Sequence, residues 1–185
     1  LPRDLPAGRY RLELGLYPPD QADQPLAVEG GSRIALAALT VGDVAAPPPP
    51  ATQTDVTFGD QIRLLGFDLT TTLQPATYNL RLRWQAVEPV DRDYTVFVHL
   101  LGPEGTFVAQ HDALPGDAFF PTSTWLPGDT VLDSHPLSLP SGEYHLYVGL
   151  YYQPTSDRLE ATDAGGNSLG DAVLLTTIIV GEAKP

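Results

Sequence analysis

Cysteine and methionine are both absent from this chain of 185 residues. Without cysteine there is no disulfide framework, no thiolate-ligated zinc and no thiol nucleophile, although the absence does not identify a compartment. Without methionine, position 1 included, the chain reads as a segment excised from a longer polypeptide. Positive charge is scarce: 10 Lys and Arg stand against 23 Asp and Glu, a formal net charge of -13. Phosphate backbones and anionic lipid surfaces are held by clustered Lys and Arg, so neither nucleic acid nor an anionic membrane is an expected partner. No apolar run approaches the ~18 residues of a membrane-spanning helix. No signal peptide is recognisable, and an anchor would lie outside this segment. No apolar stripe of helical period persists long enough to mark a helix.

What the chain does contain is turn formers and a repeat. Nineteen Pro and 17 Gly, with 42% hydrophobic residues, describe a globular protein of short strands and many turns. The segment Leu5-Pro6-Ala7-Gly8-Arg9-Tyr10-Arg11-Leu12-Glu13-Leu14-Gly15-Leu16-Tyr17 returns as Leu139-Pro140-Ser141-Gly142-Glu143-Tyr144-His145-Leu146-Tyr147-Val148-Gly149-Leu150-Tyr151, with eight of thirteen positions identical at an offset of 134. Each copy continues through a polar turn with a Gly pair (Gly30-Gly31, Gly165-Gly166) and closes on an apolar strand ending in Val41-Gly42 or Val180-Gly181. The expectation is a tandem repeat of one β domain. Residues 1–42 would be the C-terminal portion of a preceding repeat, 43–53 a proline-rich linker around Pro47-Pro48-Pro49-Pro50, 54–181 a sandwich domain and 182–185 a tail.

Within residues 54–181, Tyr78, Leu80, Leu82 and Trp84 alternate with polar residues, which marks a half-buried strand. Residues 93–101 are apolar on both faces, the mark of a central strand. Gly102-Pro103-Glu104-Gly105 turns that strand into a hairpin with residues 106–110. A four-residue turn would set Leu101 opposite Thr106 and His99 opposite Val108. Further strands are expected near 61–69, 130–139, 143–151 and 172–180, and in the first repeat at 9–17 and 33–41. The fold class expected is all-β: an antiparallel two-sheet sandwich, immunoglobulin-like or jelly-roll-like. The hairpin of the first repeat has an apolar face of Tyr10, Leu12, Leu14 and Leu16. Such a face must be covered by its own body, by a second chain as a homodimer, or not at all.

The sharpest polar constellation runs from Gln110-His111-Asp112 through Phe119-Phe120-Pro121-Thr122-Ser123-Thr124-Trp125 to Asp133-Ser134-His135. Read as a carbohydrate site, Trp125, Phe119 and Phe120 stack on pyranose faces while His111 and Asp112 hold hydroxyls. Read as architecture, the same loop plugs one end of the sandwich with its Trp, and Pro127-Gly128-Asp129 makes a turn. No metal is expected, because the histidines lack zinc-ligand spacing. The oxygen-rich turn at Asp163-Gly165-Gly166-Asn167 could hold structural calcium, but turn formation accounts for it equally. His99, among Phe97, Leu101 and Val108, fits a hydrogen-bonded boundary residue. No Gly-x-Ser-x-Gly elbow and no phosphate loop are present, so catalytic residues are not expected; a divergent glycosidase would need two carboxylates about 5–10 Å apart in one cleft.

Trp84-Gln85-Ala86, the run Asp93-Tyr94-Thr95-Val96-Phe97-Val98-His99-Leu100-Leu101, Val108-Ala109-Gln110-His111-Asp112, Pro121-Thr122-Ser123 with Trp125 and Pro127-Gly128, and Gly142-Glu143-Tyr144 with Val148-Gly149-Leu150-Tyr151 form a familiar set. Together they resemble the soluble β-sandwich repeats of large, multi-spanning bacterial membrane proteins that are described as family 39-type glycosyltransferases or are uncharacterised. The resemblance implies an extracytoplasmic, non-catalytic accessory module, with sugar transfer belonging to a membrane part absent from this chain. No catalytic residue can be carried over. A glycan is the partner implied; a structural, self-associating spacer without ligand is the alternative.

Overall fold

The computed structural model describes residues 4–19, 24–27, 34–43, 47–71, 77–116 and 120–181. It divides into two compact units, Leu1–Pro47 and Pro48–Pro185. The first unit holds β1 (Gly8–Leu14) and β2 (Ile34–Val41), paired antiparallel. The Gly30-Gly31 turn lies outside the described residues.

The second unit is all-β, as the alternation predicts. One sheet comprises β3 (Thr52–Phe58), β4 (Ile62–Thr71), β5 (Thr77–Ala86), β8 (Thr130–Ser138), β11 (Ala161–Asp163) and β12 (Ser168–Gly170), in the order β12-β11-β3-β4-β5-β8. The other comprises β6 (Tyr94–Leu101), β7 (Phe107–Ala113), β9 (Gly142–Tyr152), β10 (Asp157–Arg158) and β13 (Val173–Val180), in the order β10-β9-β6-β7. Strand β13 runs beside the first part of β9, and β10 beside its end. Every pairing is antiparallel, and the sheets stay open at their edges rather than closing into a barrel. A single 3-10 turn, Thr122–Thr124, is the one helical element among the described residues.

The inward faces meet in one core. Phe58, Ile62, Leu64, Leu80, Leu82 and Trp84 from the first sheet pack with Val96, Val98, Leu100, Leu146, Val148 and Leu150 from the second. Trp84 is fully enclosed, with Phe58 edge-on to it at 5.7 Å between ring centroids, an arrangement that suits the ring quadrupoles.

Two expectations need revision. The body begins before residue 54: β3 starts at Thr52, and the division between units falls at Pro47/Pro48. The second half of the proline run belongs to the body, because the Arg83 guanidinium donates to the Pro48 carbonyl and the Ala51 amide donates to Asp68 Oδ1 at 2.7 Å. The chain turns from β3 into β4 through Gly59-Asp60-Gln61: Gly59 and Asp60 both have positive φ, 55° and 58°, and the Gln61 amide donates to the Phe58 carbonyl at 3.1 Å. The second revision concerns the β6–β7 register. His99 lies opposite Gln110 and Leu101 opposite Phe107, because a bulge takes up one residue after the turn.

The doubly apolar character of β6 has a local explanation. Its strand is central, between β9 and β7. On its outward face Phe97 is buried under the Arg158 guanidinium, 4.4 Å above the ring, with His99 and Tyr151 alongside. Gly149, opposite Phe97 on β9, leaves the space this ring occupies: a Cβ there would stand 2.2 Å from Phe97 Cζ.

Candidate functional site

The two polar triplets of the sequence meet where the edge strands of the two sheets approach, β7 against β8. His111 Nδ1 lies 2.8 Å from His135 Nδ1, and His135 Nε2 lies 2.8 Å from Asp133 Oδ2. Asp133 also accepts from the Trp84 indole N–H at 3.2 Å and from the Gly116 amide at 3.2 Å. Asp133 and His135 are 1% and 0% exposed. A buried carboxylate is tolerable only when its lone pairs are occupied, and here three donors converge on it. With Nε2 of His135 donating to Asp133, the two Nδ1 atoms share one hydrogen bond, one ring nitrogen donating and the other accepting. His111, half-buried, completes the chain and ties the sheets together.

The loop from Phe120 to Asp129 is equally committed to the fold. Trp125 is 2% exposed, with its indole N–H donating to the Phe120 carbonyl at 2.8 Å. The Thr122 hydroxyl donates to the Arg92 carbonyl at 2.6 Å and accepts from the Tyr94 amide at 2.8 Å, while the Ser123 amide donates to Asp93 Oδ1. Asp129 Oδ2 accepts from the Leu126 amide at 3.0 Å. The Trp125 ring is therefore not presented to solvent as a stacking platform, and Phe120 is half-buried against the core. A large aromatic ring gains more from full burial than from a wet surface. Phe119 lies outside the described residues.

A different surface offers convergent polar groups. On the outward face of the β10-β9-β6-β7 sheet, an open cleft of about 280 Å³ is lined by Phe97, His99, Gln110, Asp112, Tyr151, Ser156 and Arg158. Asp112 Oδ2 accepts from the Tyr151 hydroxyl at 3.3 Å, and Oδ1 lies 3.8 Å from His99 Nε2. Of the described residues expected to bind sugar, Asp112 alone lines this cleft; His111, next in the strand, points to the opposite face, as strand alternation requires. Tyr151, Arg158 and Ser156 come from a distant stretch of sequence, so only the β6–β9 and β9–β10 pairings bring them to Asp112.

At both sites burial favours the neutral form of the titrating groups. Burial holds the His99 imidazole below its ordinary pKa, opposed by the Asp112 charge and assisted by Arg158. Burial, then the neighbouring His135, holds His111 down as well, with Asp133 and Asp112 acting the other way. The Tyr151 phenol is pushed up, chiefly by burial and by Asp112. A histidine whose folded pKa lies below its unfolded value favours the folded state at high pH. Its contribution is intact above the unfolded pKa near ~6.5 and is lost as pH falls below that, where the unfolded chain takes up protons first. Urea midpoints should thus decline between pH 7.5 and pH 5.5. The decline should flatten in a His99→Gln/His111→Gln double variant, and equal slopes for both proteins would refute this origin.

The Asp163 turn is self-sufficient. Its carboxylate accepts from the Gly165 and Asn167 amides at 2.8 and 2.9 Å and from the Asn167 side chain at 2.9 Å. Those donors, Asn167 foremost, hold its pKa below the usual carboxylate range. Among the described residues no three His, Cys, Asp or Glu side chains gather as a metal-ligand group.

No family model and no curated protein matches the chain. Among solved structures, the C-terminal domain of Wzt is similar over 75% of this chain and 83% of its own, at 12% identity and a TM-score of 0.46. Chicken MD-1, complexed with lipid IVa, is similar over 65% of this chain and 94% of its own, at 10% identity and a TM-score of 0.32. At these scores neither likeness bears on ligand or activity.

Proposed function

We propose that this protein is a non-catalytic, extracytoplasmic β-sandwich module of a larger membrane-anchored, glycosyltransferase-like protein, and that it contacts carbohydrate through the outward cleft. The observation that carries the binding reading is the convergence of Gln110, Asp112, Tyr151, Ser156 and Arg158 on one concave surface. Vicinal hydroxyls are held by paired donors and acceptors beside a ring, and Asp112 with Arg158 supplies both polarities. The membrane-anchored parent rests on the resemblance of residues 93–101, 108–112 and 142–151 to the repeats of such proteins. The module reading, without catalysis, is supported by the absorption of His111, His135 and Asp133 into the fold.

A panel of bacterial surface oligosaccharides, titrated into the isotopically labelled chain, tests the binding reading. Amide shifts should cluster on β6, β7 and β9 around the cleft. Asp112→Ala should weaken binding by about 10-fold or more, the worth of hydrogen bonds to a charged group, and Gln110→Ala by a smaller factor, roughly 2- to 10-fold, the worth of a neutral one, both leaving the melting temperature nearly unchanged. Shifts confined to the Phe120–Trp125 loop, or none with any glycan, would overturn the cleft assignment.

The second reading, a ligand-free spacer, is favoured by one observation: Trp125, the largest aromatic candidate for sugar stacking, is enclosed. The glycan panel separates the two readings.

A further inference from the structure

The first unit repeats the β9–β13 pair of the second in its geometry as well as its sequence. In β1–β2, Gly8 faces Val41, Tyr10 faces Leu39 and Leu12 faces Ala37, after which Leu36 is skipped and Glu13 faces Ala35. In β9–β13, Gly142 faces Val180, Tyr144 faces Ile178 and Leu146 faces Thr176, after which Leu175 is skipped and Tyr147 faces Leu174. Register and bulge coincide, at offsets of 134 on the first strand and 139 on the second. Two further contacts coincide. The Tyr10 hydroxyl donates to the Pro6 carbonyl at 2.9 Å, as Tyr144 does to Pro140 at 3.0 Å. The Leu26 amide donates to the Leu16 carbonyl at 2.8 Å, as Leu159 does to Leu150 at 2.9 Å.

The surroundings of the two pairs differ. Leu146, Val148 and Leu150 are fully buried, and β9 has β6 on its other side. Their counterparts Leu12, Leu14 and Leu16 are 38%, 47% and 58% exposed, in a sheet of two strands among the described residues. Leu36 and Ile34 on β2 are 54% and 47% exposed. A two-stranded sheet does not stabilise itself in water while showing water a row of leucines. A bulge that skips the equivalent residue in both pairs marks them as the same element, since bulges are kept as features of a fold within a family.

We propose that β1–β2 is the closing strand pair of a second sandwich, and that its apolar face is a docking surface for the β3-to-β8 part of another unit of this design. A β6-type strand would lie beside β1. Side chains of the kind that Leu80, Leu82 and Leu64 supply in the body would cover Leu12, Leu14 and Leu16. The occupant is defined by the pairing: β9 accepts β6 in this register, and β1 carries the same Tyr-x-Leu-x-(Leu/Val)-Gly-Leu-Tyr line as β9.

The test supplies that occupant from the chain itself. Residues 48–138 are placed directly ahead of Leu5 in the otherwise complete protein, so that β1–β2 stands where β9–β13 stands in the body. A control duplicates residues 48–181 ahead of residue 43. The first protein should unfold with roughly twice the calorimetric enthalpy of the unextended chain, since enthalpy scales with folded length. Leu12→Asp should abolish the added half and leave the unextended chain's melting unchanged. Should the control fold both halves while the added residues ahead of Leu5 stay unfolded, the proposal fails. It fails equally if the unextended chain dimerises and Leu12→Asp dissolves the dimer, because a second hairpin would then be the occupant.

Discussion

Replacing Asp133 by alanine is expected to destabilise the sandwich by about 3–5 kcal/mol, the usual cost of removing one member of a buried, hydrogen-bonded charged group. The carboxylate serves the Trp84 indole, His135 and the Gly116 amide at once. Trp84 and His135 are wholly enclosed, so water cannot replace the lost acceptor without opening the core. Each orphaned donor retains its desolvation penalty. Asp133→Asn is the informative companion. It preserves shape and one carbonyl acceptor but loses the charge and aims an amide N–H₂ at one of the donors. Its cost should fall between wild type and alanine. Chemical denaturation at pH 7.5 measures both. A loss of under about 1 kcal/mol for alanine, the range of an exposed hydrogen bond, would mean that the chain from Trp84 to His111 contributes little.

The second large effect concerns Trp125. Trp125→Ala should cost about 3–5 kcal/mol, the range for truncating a buried Trp, because the ring is 2% exposed and its N–H is bonded to the Phe120 carbonyl. The loop around it is stapled to residues 92–94 through Thr122 and Ser123, so the cavity would not collapse easily. Glycan binding at the cleft of Asp112 and Tyr151 should survive in whatever fraction remains folded. The opposite pattern, an unchanged unfolding midpoint with binding lost, would restore Trp125 to the role of a sugar platform. Near-UV circular dichroism on the same samples would show whether the indole has left a fixed environment.

The sequence itself determined the fold class, most strand positions and the internal repeat. Period-2 alternation at Tyr78–Trp84 and the two-faced run at Tyr94–Leu101 are local signals, set by which side chains water rejects, and the structure places strands at both. The repeat is matched by a shared strand pairing in the structure, because identical spacing of Tyr, Leu and Gly imposes an identical pleat. What sequence missed locally were Thr52–Phe58, hidden behind the proline run, the short strands Asp157–Arg158, Ala161–Asp163 and Ser168–Gly170, and the bulge after Gly105 that changes the partner of His99. A bulge depends on how neighbouring strands twist, which a linear pattern does not contain.

The candidate site was decided only by tertiary structure. Gln110-His111-Asp112 and Asp133-Ser134-His135 read alike as polar clusters, but strand alternation turns His111 inward to His135 and Asp112 outward to Tyr151. Trp125 has the same composition signal whether it lines a groove or plugs a core, and the difference lies in the Thr122 and Ser123 bonds that draw its loop onto β6. The cleft needs residues from β6, β7, β9 and β10, separated by up to about sixty positions and joined by sheet hydrogen bonds. Composition and spacing specify which elements form. Where outward-facing side chains of separate elements converge is set by register and strand order, and those are properties of the packed sheets.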